Sequence, residues 1–383
     1  MSKEEKIIER ARKAVPRGIA RKLWVKSGGR CQYQGCNKPL WKDELMQRDM
    51  NKAYISHIVA AKENGPRGEK TLSQKLELSF ENLLLLCDEC HNRIDKAQVD
   101  EHPKERIIKM KKDHERRIEL LTGINEENKS HLLFYTAKIG SFQPTITFEQ
   151  ASEAIIPEYF PISDNPIEIG MGFNTISDDD DNYWKFQSQQ LEESFSHKVK
   201  PILDKGINHF SVFGIAPQPL LVKFGALISE LTKAEIYQSH REPKQSWKWQ
   251  LNNDDVEIVL NKPTLINEKA VLIISISDNV TENRVHEVVG KNVSIWEVTT
   301  QRPNRNILKN KNTLTQFKNA VRDALSEIRK TFGQDSEIHL FPVMPNSCAI
   351  ETGRVWMPKV DLPVVIYDQN SKRDGFYKTL TIK

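Results

Sequence analysis

Four of the five cysteines form two closely spaced pairs whose thiols could bind a metal ion. The pairs are Cys31-x4-Cys36, in GGRCQYQGCNKPLW, and Cys87-x2-Cys90, in LLCDECHN. Each pair lies where a tight turn is expected, so the two turns would present four thiolates. A closed, tetrahedral structural zinc site requires such a set. We therefore predict that these four cysteines bind one structural Zn²⁺.

His91 follows the second pair directly, and Cys87-x-x-Cys90-His91 has the spacing of a c-type haem attachment site. The charged N-terminus, MSKEEKIIERARK, lacks the apolar segment of a secretion signal, and no apolar run reaches transmembrane length. We expect a cytoplasmic protein with no membrane partner, where clustered cysteines favour metal chemistry and covalent haem attachment is disfavoured. With both thiols assigned to zinc, His91 is left for other chemistry.

Polar residues interrupt the apolar segments between the two cysteine pairs. AYISHIVA predicts a short strand that contains Ser56 and His57, and ENLLLLC predicts a loop that enters a buried strand or turn at Asn82. From His91 onward, apolar residues recur at helical spacing, with a break expected at Pro103. Three successive elements therefore carry His57, Asn82 and His91.

These segments resemble the HNH endonucleases. The resemblance lies in ISHI, GPRG, SFENLLLLC and CDECHNRID, and it covers about residues 20–100. It implies a ββα-metal fold that places His57, Asn82 and His91 around one divalent cation. It also implies a hydrolase that cleaves DNA phosphodiester bonds.

The resemblance and the chemistry of phosphodiester hydrolysis imply a role for each of these residues. A neutral imidazole is a suitable base for the attacking water, so His57 takes that role. His91 would hold a Mg²⁺ or Mn²⁺ near the scissile phosphate. Asn82 would orient the His57 ring by hydrogen bonding.

One position departs from the commonest pattern of this family. Many members carry an acidic residue or a histidine just before the base and use it on the metal, whereas this chain has Ser56. Asp95 lies four residues after His91, on the same face of a helix. We therefore expect Asp95 to bind the catalytic metal, directly or through water. The alternative is an exposed acidic residue on a helix surface.

Basic residues are concentrated in the same part of the chain. Residues 1–120 contain 27 Lys and Arg against 19 Asp and Glu, a net charge of +8, and the remainder has a net charge of −4. A basic block beside a metal site favours a phosphate-rich partner. Ordinary surface charge is the alternative. The residues predicted to contact the phosphates of double-stranded DNA are Arg17, Arg21, Lys22, Arg30 and Arg67.

Beyond residue 121 the pattern changes to strands that alternate with helices. The polar stretch TGINEENKSH predicts a hinge, so we place a linker at 122–144 between an N-terminal domain (1–121) and a C-terminal domain (145–383). Alternating strands and helices favour Rossmann-like units. The chain is therefore predicted to be an α/β multidomain protein.

The C-terminal domain contains an internal repeat. FGIAPQPLLVKFG (213–225) aligns without gaps on FPVMPNSCAIETG (341–353). Each copy follows a predicted strand, turns at a proline and starts a helix. Such a repeat predicts two Rossmann-like halves related by a pseudo-twofold axis. The N-termini of the two helices would then be available for phosphate groups.

This arrangement resembles the SAVED domain, a fusion of two CARF-like halves that senses cyclic nucleotides in the bacterial CBASS anti-phage systems. The resemblance covers about residues 145–383, and an HNH nuclease followed by a SAVED domain is an architecture of CBASS effectors. It implies a cyclic di- or trinucleotide as activator. Trp247 and Trp249 would stack on purines. The alternative is that they pack in the core or at an interface. The candidate ligand-binding residues are Pro217, Gln218, Lys223, Arg241, Trp247, Trp249, Pro345 and Asn346.

Together the two resemblances imply a nuclease that a ligand switches on. The cyclic nucleotide would change the self-association of the protein, and the expected oligomer is between a dimer and a tetramer. This change would activate cleavage of double-stranded DNA with little sequence preference. The biological role would be anti-phage defence by abortive infection. The first alternative is a restriction-type HNH endonuclease whose C-terminal domain reads DNA sequence or modification. The net negative charge of residues 121–383 counts against it. The second is a zinc-containing binding module without catalytic activity.

Overall fold

A computed structural model describes the chain at residues 14–43, 48–124, 126–170, 180, 182–205, 209–242, 244–250, 256–370 and 375–383. Contacts between residues divide the chain into two compact units, Met1–Asn125 and Glu126–Lys383. None of the helices in these described ranges is long and apolar enough to cross a membrane.

The first unit contains short strands enclosed by helices. Its elements are, in order, α1 (Arg17–Ser27), β1 (Tyr54–His57), α2 (Leu72–Leu76), β2 (Leu83–Leu86), α3 (Asp88–Asn92) and α4 (Lys104–Thr122). A 3-10 turn covers Phe80–Asn82, and a π-helical turn over Arg93–Ala97 follows α3. Pro103 precedes α4, so the predicted helical region is interrupted there, because proline cannot continue the hydrogen-bonded turns.

Strands β1 and β2 pair antiparallel, with Tyr54 opposite Leu86 and His57 opposite Leu83. All four leucines of β2 are buried, so both faces of this strand pack inside the unit. Side chains alternate along β1, which places Tyr54 and Ser56 on one face and His57 on the other. Because α3 follows β2 directly, the unit has the strand–strand–helix order that the sequence predicts.

The second unit alternates strands and helices along its length. Its elements are β3 (Lys129–Thr136), α5 (Phe148–Ile155), β4 (Phe160–Pro161), β5 (Ile167–Ile169), α6 (Tyr183–Lys198), α7 (Lys200–Leu203), β6 (Phe210–Ile215), α8 (Gln218–Ile228), β7 (Ala234–Tyr237), β8 (Val259–Asn261), β9 (Lys269–Ser275), α9 (Glu282–Val289), β10 (Val293–Thr299), α10 (Lys311–Phe332), β11 (Ile338–Val343), α11 (Asn346–Val355), β12 (Val364–Asn370) and β13 (Gly375–Ile382).

Two sheets organise the second unit. The first has the order β4-β3-β6-β7, with β5 also pairing with β3, and all of these pairs are parallel. The second has the order β13-β12-β11-β9-β10-β8. Its inner pairs are parallel, and β13 and β8 join antiparallel at the two edges. Parallel strands linked by helices confirm the predicted α/β fold.

The predicted linker at 122–144 is wrong, because β3 lies inside it. This strand pairs with β6 on one side and with β4 and β5 on the other. Leu132, Leu133, Phe134 and Tyr135 are buried there. The apolar run begins directly after the polar stretch that suggested a hinge. Burial of its side chains stabilises a strand here, although the preceding residues are polar.

The internal repeat corresponds to two β–α–β units, β6–α8–β7 and β11–α11–β12. Pro217 and Pro345 lie at the N-caps of the two helices. The helices cross in backbone contact: a Cβ atom on Gly225 would lie 1.9 Å from the carbonyl oxygen of Ile350, and one on Gly353 would lie 1.8 Å from that of Val222. The aligned glycines of the repeat are therefore the residues that allow the two helices to touch.

Substitution of Gly353 tests this contact. Gly353→Ala is expected to lower the free energy of unfolding by about 1–3 kcal/mol or more, because the added methyl group overlaps backbone that cannot move aside. Urea unfolding followed by circular dichroism measures the change. Gly18→Ala is the control, since nothing lies within 4 Å of a Cβ atom at that helical position. An unchanged unfolding curve for Gly353→Ala would contradict the contact.

Candidate functional site

The four predicted zinc ligands lie together in the first unit. The sulfur atoms of Cys31, Cys36, Cys87 and Cys90 are all within 4.8 Å of one another. The first pair lies in the loop after α1, and the second pair flanks the start of α3. Among the described residues, this is the only group of three or more His, Cys, Asp or Glu side chains whose ligand atoms lie so close. The arrangement fits a tetrahedral metal site.

The pKa values of these thiols depend on burial and on the neighbouring thiols. Burial raises the pKa of Cys31 to about 12 and also raises the pKa of Cys90. Burial acts in the same direction on Cys36, but hydrogen bonds to the Lys38 backbone and to the neighbouring thiols lower its pKa. A metal ion would have to displace the thiol protons of Cys31 and Cys90, because zinc binds thiolates.

The predicted catalytic histidines lie at the end of β1 and in α3. His57 is 7% exposed, and its Nε2 atom lies 3.0 Å from the carbonyl oxygen of Glu77. His91 Nε2 lies 3.4 Å from Asp95 Oδ2. The Tyr54 ring stacks on His91, with 5.0 Å between ring centroids. The structure thus pairs His91 with Asp95, as the helical spacing predicts, and keeps His57 outside that pair of potential ligands.

Asn82 acts on the backbone beside His57 rather than on its ring. Its Oδ1 accepts a hydrogen bond from the Val59 N–H at 2.8 Å, and its Nδ2 donates to the carbonyl oxygens of Val59 and Leu76 at 2.9 and 3.1 Å. The expectation of a direct bond to the imidazole is corrected accordingly. Asn82 ends a 3-10 turn next to the strand pair, so its amide fixes the segment that follows β1.

Arg67 is turned into the unit and does not present its charge to solvent. Its side chain is 8% exposed, and it donates hydrogen bonds to the carbonyl oxygens of Ile58 and Ile94 and to Asp95 Oδ1, at 2.7, 2.8 and 2.5 Å. The prediction that Arg67 contacts DNA phosphates is therefore wrong. Its left-handed backbone, with φ 56°, directs the side chain inward.

The other predicted DNA contacts lie on the surface of the first unit. Arg17, Arg21, Lys22 and Arg30 are all exposed. The ammonium group of Lys22 lies 4.1 Å from the centroid of the Phe80 ring, and Arg30 donates to the backbone at 3.1 Å. These contacts fix the direction of both cations while leaving the residues accessible.

The two aligned turns of the second unit hold the halves together. Gln218 donates to the Met344 carbonyl oxygen at 3.1 Å and accepts from the Met344 N–H at 3.3 Å, while Asn346 donates to the Gly214 carbonyl oxygen at 3.2 Å. Pro217 and Pro345 are buried. Both amides are therefore used between the two β–α–β units, and the predicted contacts of Gln218 and Asn346 with a ligand stay a prediction.

Three further candidates for ligand binding also pack within the protein. Lys223 forms an ion pair with Glu192. Trp247 is 2% exposed and meets the Phe213 ring edge to face, with 5.1 Å between centroids. Trp249 is half-buried and packs against the same core. The predicted stacking face is therefore wrong for Trp247, since these two residues fold into the core rather than along an exposed strand.

A polar cavity of about 420 Å³ lies beside Arg241. It is formed by residues directly after β7 and by residues between β10 and α10, including Arg305 and Lys309. His240, which also lines it, is buried, and its Nε2 atom has no hydrogen-bond partner among the described residues. Burial and the charge of Lys309 lower the pKa of His240. Three cations and one carboxylate, Glu242, therefore line a space within the size range of ligand pockets.

Sequence reasoning found only Arg241 among these residues. A signal for the others was present, because QRPNRNILKNK places several basic residues directly after the strand-like VSIWEVT. In α/β sheets, ligands bind outside the carboxyl ends of strands. The position of residues 301–311 after a strand therefore predicts that they line a ligand site.

Comparison with known proteins assigns the second unit. A family model described as the SMODS-associated and fused to various effectors sensor domain, SAVED, matches residues 191–382, which is half of the chain. The chain belongs to the SAVED family. The predicted C-terminal SAVED domain is therefore confirmed, and the matched region contains both β–α–β units and the cavity beside Arg241.

Solved structures similar to this SAVED protein include two Cap4 receptors. One is the Acinetobacter baumannii Cap4 SAVED/CARF-domain containing receptor with the cyclic trinucleotide 2'3'3'-cAAA, which is 10% identical with a TM-score of 0.42, over 82% of this chain and 67% of that chain. The Moraxella osloensis receptor is 11% identical with a TM-score of 0.38, over 82% and 70% of the respective chains. No curated protein matches the sequence.

Proposed function

We propose that this SAVED protein is a DNA endonuclease that a cyclic oligonucleotide activates, and that it is an effector of CBASS anti-phage defence. One observation carries the proposal. The SAVED region shares its chain with a strand–strand–helix unit that holds His57, His91 and Asp95 beside four clustered cysteines. This combination supports an HNH nuclease controlled by a sensor.

His57 is the proposed base for the attacking water. The carbonyl oxygen of Glu77 can only accept, so the hydrogen bond at 3.0 Å requires the proton to be on Nε2. Nδ1 is then the basic nitrogen of the ring, and it takes the proton from water. Asn82 holds the backbone after β1 in place, which keeps the imidazole in this orientation.

His91 and Asp95 are the proposed ligands of a catalytic Mg²⁺ or Mn²⁺. Their nearest ligand atoms lie 3.4 Å apart, a separation that suits two ligands of one cation. When bound, the cation polarises the phosphate and stabilises the leaving oxygen. Tyr54 stacks on the His91 ring and restricts its rotation. The exposed cations Arg17, Arg21, Lys22 and Arg30 would bind the phosphates of double-stranded DNA without reading its sequence.

The four cysteines are proposed to hold a structural Zn²⁺. They join the loop after α1 to the start of α3, and Cys36 and Cys87 are separated by 51 positions in the sequence. A metal that ties these segments together fixes α3, which carries His91. The zinc site would thus support the catalytic site without taking part in the reaction.

The cavity beside Arg241 is the proposed site for the cyclic oligonucleotide. Arg241, Arg305 and Lys309 supply positive charge for phosphate groups, against one carboxylate in the lining, Glu242. His240 also lines the cavity, and its Nε2 atom has no hydrogen-bond partner among the described residues. A bound ligand would change self-association and thereby activate cleavage. Control of this kind is needed because a nonspecific nuclease that is always active would cut the DNA of its own cell.

Plasmid cleavage tests the proposal. Supercoiled plasmid and Mg²⁺ are incubated with the protein, with and without a panel of cyclic di- and trinucleotides. Cleavage is expected only with one of these ligands. His57→Ala is expected to lower the rate by about 10²–10⁴-fold, and His197→Ala, at an exposed position, is expected to leave it unchanged. Ligand-independent cleavage into discrete bands would contradict the proposal and support a restriction enzyme.

Zinc content tests the cysteine site. The purified protein is expected to contain one Zn²⁺ per chain, and Cys90→Ala is expected to lose it and to unfold the first unit at lower temperature. Because zinc replaces thiol protons, retention is expected to fall as the pH falls. Elemental analysis and thermal unfolding measure both effects. Cys348→Ala is the control, since this buried cysteine lies outside the cluster. Full zinc retention in Cys90→Ala would contradict the assignment.

A further inference from the structure

The carboxylate of Asp95 is held from two sides by residues with no assigned role. The Ser56 hydroxyl donates to Asp95 Oδ2 at 2.8 Å. The Arg67 guanidinium donates to Asp95 Oδ1 at 2.5 Å. Ser56 is 0% exposed and the Arg67 side chain is 8% exposed, so both contacts are shielded from water.

Arg67 is fixed more strongly than an ordinary ion pair requires. Its Nε and Nη1 groups donate to the carbonyl oxygens of Ile58, next to His57, and Ile94, in the π-helical turn. Its φ of 56° is unusual for a residue with a side chain. A Cβ atom on Gly68 would lie 2.3 Å from a backbone carbonyl oxygen. The GPRG segment therefore builds a tight turn that directs one guanidinium to three fixed acceptors.

These contacts distinguish the two oxygens of the carboxylate. Oδ1 is committed to Arg67, whereas Oδ2 lies 3.4 Å from His91 Nε2 and accepts only the Ser56 hydroxyl among the described hydrogen bonds. A carboxylate oxygen has lone pairs for both a hydroxyl donor and a cation. Oδ2 is therefore the oxygen available to a metal, next to the imidazole.

We propose that Ser56 and Arg67, here called the Asp95 clamp, are positioning residues that fix Asp95 as a one-oxygen ligand beside His91. The proposal rests on the proposed nuclease function. It also explains the departure from the HNH pattern at Ser56. A serine there cannot bind the metal as an acidic residue would, but its hydroxyl holds in place an acidic residue supplied from the segment after α3.

The Asp95 clamp has a consequence for metal choice. One imidazole and one carboxylate oxygen leave most positions around a cation for water and phosphate, which suits Mg²⁺ and Mn²⁺. Ca²⁺ favours more oxygen ligands, often both oxygens of a carboxylate. Because Oδ1 is held by Arg67, Asp95 is not free to bind Ca²⁺ in that way.

Mn²⁺ binding to the zinc-loaded, full-length protein tests the clamp. Electron paramagnetic resonance measures free Mn²⁺ during a titration. Ser56→Ala and Arg67→Gln are expected to weaken Mn²⁺ binding roughly 10- to 100-fold, the usual effect of removing a residue that orients a metal ligand. Ser27→Ala is the matched control, because Ser27 is also 0% exposed in the first unit and its hydroxyl donates to the Trp24 carbonyl oxygen.

Plasmid cleavage with the activating ligand gives an independent readout. Ser56→Ala is expected to cleave slowly at low Mn²⁺ and to recover at high Mn²⁺, whereas His57→Ala is expected to bind Mn²⁺ normally and not to recover. Circular dichroism shows which variants fold. If Arg67→Gln does not fold, the result for Ser56→Ala alone tests the clamp.

The outcomes separate the two proposals. Wild-type Mn²⁺ affinity in Ser56→Ala would overturn the clamp and leave the nuclease proposal intact. A wild-type protein that binds no Mn²⁺ and cleaves no DNA would overturn the nuclease proposal and the clamp together.

Discussion

The backbone contact between α8 and α11 is the constraint on which the second unit depends. At Gly225 and Gly353 the two helices approach so closely that neither position can carry a side chain. This contact brings the turn of each β–α–β unit within hydrogen-bonding distance of the other, and the amides of Gln218 and Asn346 are used there. The space that remains for a ligand lies to one side, where the residues after β7 meet the loop before α10. The proposed ligand site thus lies away from the two aligned turns of the repeat.

The first unit is constrained differently, because its strands are only four residues long. An isolated two-stranded pair of this size is marginal in water. Three of the leucines of β2, Leu84–Leu86, belong to one core cluster with Ile94, Ile107 and the cysteines. A metal joining two distant segments reduces the conformational freedom of the unfolded chain. The proposed zinc ion would also fix the start of α3, and with it the positions of His91 and Asp95 relative to β1. The cysteine cluster, the short strands and the proposed catalytic residues are therefore parts of one small unit.

The sequence predicted those features that depend on residue type and spacing. Two pairs of cysteines predicted the cluster of four sulfur atoms, and helical spacing predicted that Asp95 lies beside His91. The aligned prolines and glycines located the two β–α–β units, because turns and close helix contacts restrict which residues fit. The direction of a side chain could not be predicted from residue type and spacing. Arg67 is basic, but a left-handed backbone and a buried carboxylate turn it inward. Trp247 lies in a polar segment, yet it packs on Phe213. Both outcomes depend on residues distant in the sequence.

Sensing and cutting are linked if a cyclic nucleotide bound beside Arg305 controls hydrolysis at His57. The most direct measurement compares two titrations of the same protein with the activating cyclic nucleotide, one followed by calorimetry and one by plasmid cleavage. Arg305→Glu, in the cavity, is expected to shift both midpoints by the same factor, roughly 10- to 100-fold for a lost contact to a charged group. Arg302→Glu, exposed in the same loop but outside the cavity lining, is expected to shift neither. Binding that weakens while the cleavage midpoint stays at its wild-type value would contradict control of the nuclease by this cavity.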